Sequence, residues 1–347
     1  MITLKEIARL SGVSPSTVSN ILNGRSNVGE ETRKRVLQII KEQGYHPNYF
    51  ASNMRKANSK MIVIITEDLK QFTTSPIVVS LMAHCEEKGY RTILINLRMY
   101  DRWQDKWYRD EEKLRSVLDP ALYEAEAIKA DGIIYVAGHG RVINCIPKDL
   151  SIPIVMTYAT SDNPSFPSIL IDDEKGGYDM GRYLISMGHK KIAVITGVES
   201  NMHTQKRLKG FQRALSESGI ALNPDWVFQG KWLRPSGYAC AKAAYETGAS
   251  VIWCMNDQMA AGVYDYLYEH QIQVGRDISV AGFDHMENAE YMYPKLTTNE
   301  LPLSEIGSIS AEKMIEVIEK GAASQKKITI EVPCTMVFGN SVIRLSE

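Results

Sequence analysis

Near the start of the chain, the residues best equipped for chemistry are small and polar. Ser14, Ser16, Thr17, Ser19, Asn20 and Asn23 fall in one short stretch. Val18, Ile21 and Leu22 interleave with them at helical spacing, so one helix face is polar and the other apolar. Short polar groups let a helix backbone approach a partner closely. An Asn amide offers a donor and an acceptor side by side, which fits the N6/N7 edge of adenine in the major groove. Asn20 is therefore the first candidate base reader, with Ser16 beside it. Ser14, Ser19, Thr32 and Tyr45 are candidates for phosphate contacts, which position a protein without reading sequence.

The elements that must carry these groups are legible. Thr3-x-x-Glu6 is a capping box, followed by Ile7, Ala8 and Leu10 at helical spacing. Gly12 ends that helix. Ser14 then caps a second helix with Pro15 at its first position, where a missing N–H costs nothing. A third helix is expected over 30–43, with Glu30 and Glu31 in its first turn and Val36, Leu37, Ile39 and Ile40 facing inward. Gly44 is its stop. Helix, tight turn and second helix make a helix-turn-helix, whose second helix enters the major groove. The charge agrees. Residues 1–60 hold ten Lys/Arg and four acids, a net +6 in a chain whose total is −1. A basic head on an acidic body suits a polyanion-binding module fused to something else.

The remainder is too long for one domain, at roughly 100–200 residues each. From residue 61 onward, strand-like runs at 61–65, 92–96, 132–136, 154–156, 192–195, 251–254 and 279–281 alternate with amphipathic helices. The helices include 77–88, 175–187, 207–218 and 257–270. Such alternation implies parallel sheets covered by helices, here as two subdomains with a cleft between them. A ligand would sit at the carboxyl ends of the strands. Residues 98–129, with Trp103, Trp107 and Tyr108 near a charged run, read as a solvated helical insertion.

Several function classes find no support. There is no G-x-x-x-x-G-K-[ST], no G-x-S-x-G and no H-E-x-x-H, and Gly138-His139-Gly140 does not continue as G-x-G-x-x-G. His139 reads as a surface-loop histidine, and Trp226 and Trp253 as core. The five cysteines are scattered, without a C-x-x-C pair. No apolar run is long enough for a membrane helix, and the N-terminus lacks an apolar signal core. A cytoplasmic, non-enzymatic protein without metal or cofactor is expected.

The stretch TLKEIARLSGVSPSTVSNILNGRSNVGEETRKRVLQIIKEQGYHPN resembles the DNA-binding head of the lactose-repressor (LacI/GalR) family. G-V-S-x-x-T-V-S-x-x-L-N-G and E-E-T-R-x-R-V-L carry the likeness. Pro15 stands where that family has a longer base-reading side chain, so its contribution becomes apolar. Gly29 stands where a Ser cap is usual. The resemblance continues through Leu170-Ile171-Asp172-Asp173, Gly188-His189-Lys190-Lys191-Ile192-Ala193, Arg207-Leu208-Lys209-Gly210-Phe211, Asn256-Asp257 and Gly282-Phe283-Asp284.

The resemblance implies a small all-α helix-turn-helix head plus an α/β periplasmic-binding-protein-like sensor of two parallel-sheet subdomains. The expected divisions are 1–46 for the head and 47–60 for a hinge helix. Residues 61–171 with 298–330 then form one subdomain, and 172–297 with 331–347 the other. Met54 falls at the position of an apolar lever that wedges the minor groove. By position, the resemblance puts Thr73, Thr74, Asp172, Arg207, Trp232, Asn256 and Asp284 in the effector site. Asp257 reads as a helix cap. A guanidinium fork, two carboxylates and an aromatic platform suit a saccharide; a nucleobase or nucleoside, or control by a protein co-regulator, is the alternative. The implied molecule is a repressor binding double-stranded, pseudo-palindromic operator DNA as a homodimer, since no heptad-patterned tail follows.

Overall fold

The computed structural model describes residues 2–22, 28–45, 59–108, 110–147, 150–321 and 328–345. The chain forms two units, Met1–Ser59 and Lys60–Glu347.

In the first unit, α1 (Leu4–Ser11), α2 (Pro15–Leu22) and α3 (Glu30–Glu42) enclose Ile7, Ala8, Val18, Ile21 and Val36. The capping box is present: Glu6 N donates to Thr3 Oγ1 at 3.3 Å, and Thr3 N to Glu6 Oε2 at 2.9 Å. Gly12 ends α1 at φ +63, a left-handed conformation that glycine adopts without strain. Ser14 Oγ accepts from Thr17 N at 3.1 Å and so caps α2. Two expected core positions turn outward: Leu10 and Leu37 are each 45% exposed. In α1 the place goes to Ser11, buried four residues after Ile7, whose hydroxyl donates to Ile7 O at 2.6 Å. In α3, Leu37 lies about 100° around the helix from the buried Val36.

The second unit is built on two parallel sheets. The first contains β1 (Met61–Thr66), β2 (Arg91–Asn96), β3 (Gly132–Val136), β4 (Ile154–Thr157), β5 (Ser168–Asp172) and β11 (Thr329–Pro333). Their order is β11-β5-β4-β3-β1-β2. The second contains β6 (Ile192–Thr196), β7 (Val227–Gln229), β8 (Val251–Cys254) and β9 (Ser279–Ala281), in the order β7-β6-β8-β9. β10 (Thr298–Glu300) and β12 (Thr335–Val337) pair antiparallel as a separate ribbon. The strands expected from sequence are all present. β11 runs past the boundary expected at residue 330, because its pairing with β5 continues to Pro333↔Asp172.

β1 is buried along its whole length because helices cover both faces. Its side chains alternate between two cores. Ile62 and Ile64 pack with α4 (Thr74–Glu87) and α11 (Leu303–Lys320), while Val63 and Ile65 pack with α6 (Glu111–Ala127). Around the second sheet, α7 (Asp173–Ser186) packs on α8 (Met202–Glu217), and α9 (Arg234–Glu246) on α10 (Asp257–Glu269). Trp253 is fully buried and stacks on Phe211 at 4.4 Å; Trp226 is half-buried.

Residues 98–129 are not a solvated insertion. They form α5 (Met99–Trp103), a 3-10 turn at Gln104–Trp107, and α6. Trp107 is 2% exposed and packs with Leu97, Met99, Leu114 and Leu118. The aromatics marked as unusual in the sequence are thus what docks this segment on the first sheet. Among the described residues, no helix is long and apolar enough to cross a membrane.

Candidate functional site

In the first unit, α2 holds Pro15 and Ser16 exposed and Ser19 and Asn20 half-buried along one helix. Ser14 is engaged locally: besides capping α2, its hydroxyl bonds Ser16 Oγ at 2.7 Å and Thr17 Oγ1 at 2.8 Å. Thr32 lies in the first turn of α3, and Tyr45 packs against the small core just beyond that helix. Asn23 and Met54 lie outside the described residues.

In the second unit, one buried residue organises the site. Arg207 on α8 is 2% exposed. Its Nε donates to Asp173 Oδ1 at 2.8 Å, and its Nη1 to Met255 O at 2.6 Å and to Asp284 Oδ1 at 3.0 Å. The guanidinium carbon lies 3.8 Å from the centroid of the Phe283 ring and 5.7 Å from that of Trp232. An aromatic face adds to the attraction of a desolvated cation. Asp284 reaches the guanidinium from the loop after β9, with a backbone φ of +103.

The electrostatics follow from burial and pairing. Burial pushes the Asp173 carboxyl upward, but His203 and Arg207 outweigh it and hold it at about 2. Burial also raises Asp284, and there the pull of Arg207 is not enough, leaving it at about 6. Burial drives Asp257 well above the ordinary carboxylate range, with Asp284 adding to it. Asp257 is hydrogen-bonded to Thr298 Oγ1 at 2.6 Å and to Met286 N at 2.7 Å. It is not the cap of α10. That is Asn256, whose Oδ1 accepts from Met259 N at 2.9 Å.

The other expected residues sort themselves by contact. Trp232 takes a positive φ of +65, and its ring packs against Gly197, where any Cβ would sit 1.9 Å from a ring carbon. Asn256 Nδ2 donates to Trp232 O at 2.9 Å, so the cap of α10 also fixes the aromatic loop. Thr73 is buried and donates to Gly138 O at 3.3 Å; Thr74 is buried at the start of α4.

Asp172 stands at the junction of β5 and α7. Its side chain accepts from Lys175 N at 2.9 Å and caps α7. One residue on, the chain has turned into the helix, and Asp173 points inward.

Sequence reading also missed His203. It precedes Arg207 by one helical turn, so both share a face of α8, and that spacing was the available signal. His203 Nδ1 bonds Asp173 Oδ2 at 2.6 Å, and its ring packs on Tyr158 at 5.2 Å. His139 is not a surface-loop residue. It bonds Tyr108 Oη and stacks edge-on against that ring at 4.9 Å. Desolvation, then His203 and Arg141, press its pKa down to about 3. Next to it, fully buried Glu67 pairs with Arg141, accepts from Tyr135 Oη at 2.7 Å and from Gly138 N at 2.8 Å.

Comparisons with known proteins agree with this architecture. Residues 3–48 match the family described as "Bacterial regulatory proteins, lacI family". Residues 111–337 match "Periplasmic binding proteins and sugar binding domain of LacI family". The chain is 29% identical over 346 residues to the HTH-type transcriptional repressor PurR of Pasteurella multocida, covering 99% of each chain. It is 27% identical over 338 residues to the ribose operon repressor of Haemophilus influenzae, covering 97% of this chain and 98% of that one. Its fold matches the lac repressor dimer bound to operator and the anti-inducer ONPF with a TM-score of 0.80. That match has 23% identity over 99% of both chains. With both its reading head and its two-sheet sensor matched, the chain belongs to the LacI family of bacterial transcriptional regulators.

Proposed function

We propose that this regulator represses genes of carbohydrate use and that its cleft takes a small, uncharged, hydroxyl-rich effector of the saccharide class. The observation that carries the reading is Arg207 held between Asp173 and Asp284 beside the Trp232 ring. Two carboxylates against one guanidinium leave this wall acidic. A phosphorylated sugar would bring charge of the same sign, whereas hydroxyls can donate to carboxylates. An aromatic face suits the C–H side of a sugar ring. Thr73 and Thr74 supply hydroxyls from the first sheet's side, and Asn256 orients Trp232. Asp173 takes the role that the resemblance gave to Asp172. The Haemophilus relative, named for a ribose operon, supports the same class.

In the head, Asn20 and Ser16 read bases, Pro15 makes an apolar contact, and Ser14, Ser19, Thr32 and Tyr45 face phosphates. Met54 supplies the minor-groove wedge. Two copies bind one pseudo-palindromic operator in the cytoplasm. The working divisions are 1–46, 47–60, 61–171 with 298–333, and 172–297 with 334–347, the first-sheet segment running to the end of β11. A second reading, a nucleobase effector, draws on Trp232 and Tyr158 as stacking faces.

A thermal-shift screen with neutral sugars, sugar phosphates, nucleobases and nucleosides tests both. Stabilisation reaches about 2.7 kcal/mol at a hundred times Kd. We expect a neutral sugar to raise the melting temperature and Trp232→Ala to abolish the shift. A shift with nucleobases alone would replace the first reading with the second.

A further inference from the structure

His203 engages both of its ring nitrogens, and it does so across the two halves of the sensor. Gly140 N donates to Nε2 at 2.9 Å, and Nδ1 bonds Asp173 Oδ2 at 2.6 Å. A backbone amide can only donate, so Nε2 carries the lone pair and Nδ1 the proton. Gly140 belongs to the loop that follows β3 of the first sheet. His203 sits on α8, which packs on the second sheet through Phe211 and Leu215. His203 is 8% exposed, so this hydrogen bond is largely shielded from water.

The approach is close enough to dictate a residue type. A Cβ at position 140 would lie 2.7 Å from His203 Nε2 and 3.0 Å from Met202 Cε. Only glycine lets the loop reach the ring. The same loop is braced from behind, since Gly138 N donates to Glu67 and Gly138 O accepts from Thr73. On the far side, Asp173 is braced by Arg207. A rigid loop and a rigid carboxylate therefore meet through one imidazole.

We propose that Gly140 and His203 form a latch that ties the first-sheet loop at 137–142 to α8. The latch goes beyond the saccharide reading and stands whichever molecule the cleft takes. A group that replaced the ring would need an acceptor toward Gly140 and, on its other side, a donor toward Asp173.

Amide hydrogen exchange on the full-length protein tests this, comparing wild type with His203→Ala, His203→Gln and Gly140→Ala. In His203→Ala and Gly140→Ala we expect exchange at 137–142 to rise tenfold or more, with β3 and β6 unchanged. His203→Gln keeps an acceptor and a donor on one side chain and should restore protection to within threefold. Wild-type exchange at 137–142 in His203→Ala, with β3 and β6 native, overturns the latch. So does a natively folded His203→Gln no better protected than His203→Ala. If His203→Ala loosens the whole sensor through Asp173, Gly140→Ala decides: faster exchange confined to 137–142 supports the latch, and a wild-type rate there removes it.

Discussion

Arg207 and its partners show how single side chains divide the work of the sensor. Asp173 and Asp284 both bind the same guanidinium, yet they titrate apart, because Asp173 also takes a hydrogen bond from His203, which pulls on Asp284 only through space. The difference has a measurable sign. Asp284 is raised from an ordinary 3.8 to about 6, so the stability it contributes is complete below about 3.8 and is lost as pH climbs through about 6. Asp173, held at about 2, contributes fully above 3.8 and adds no slope near neutrality. Asp284→Asn keeps an acceptor for Arg207 and cannot titrate. Its melting temperature relative to wild type should therefore rise between pH 4.5 and pH 7.5. A constant difference would mean that the carboxyl titrates at its ordinary value.

On α2, Asn20→Ala should cost ~1–3 kcal/mol of operator affinity and relax base preference at one position per half-site. Selection of binding sequences checks this; an unchanged consensus would remove Asn20 as a reader. That Arg207, Asp284 and Trp232 come together was legible, because they sit in short conspicuous motifs. Which of Asp172 and Asp173 contacts Arg207 was not. It depends on where a strand becomes a helix, and a one-residue shift there exchanges a capping carboxylate for a buried one. His203 escaped because its partner, Gly140, is 63 residues away and contributes only a backbone amide.

Helices and strands were readable where their own residues decided them. β1, β3, β6 and β8 are buried on both faces, and their unbroken apolar runs say so. β10 and β12 are three residues each and include polar Thr and Asn, so only their pairing with each other makes them strands. Residues 98–129 misled for a related reason. A charged exterior dominates the composition, while Trp107, the residue that seats the segment, is a single side chain.

The start of α2 depends on a local contact that the sequence did announce. Ser14 Oγ satisfies Thr17 N at the open end of α2, and a lost cap of this type costs about 1 kcal/mol. Ser14→Ala should speed exchange of the Thr17 amide roughly fivefold, since 1.4 kcal/mol corresponds to tenfold. It should also weaken operator binding without altering the preferred sequence. A shifted consensus would instead make Ser14 a reader.

The molecule as a whole joins a basic head to an acidic sensor, with +6 confined to the first 60 residues. Binding to operator should therefore fall linearly on a plot of log affinity against log salt, with a slope near −0.9 per phosphate neutralised. Two heads per operator imply twice the slope of one head on a half-site. Equal slopes on whole and half-operators would argue against paired heads.

The strand order also sets a timetable. The second sheet draws all four strands from one continuous stretch, Ile192 to Ala281. The first sheet begins with Met61 but keeps its edge beside β5 open until Thr329–Pro333 arrives. On a ribosome, which releases the chain from its N-terminus, the four strands of the second sheet can pair before the first sheet is complete, although the segment around Ser341 docks on them only later, its carbonyl accepting from Val280 N. The first sheet must wait, with the β5 edge unpaired, until Thr329–Pro333 has been made. The interval between those two moments is when an unfinished strand edge is open to pairing with a neighbouring nascent chain.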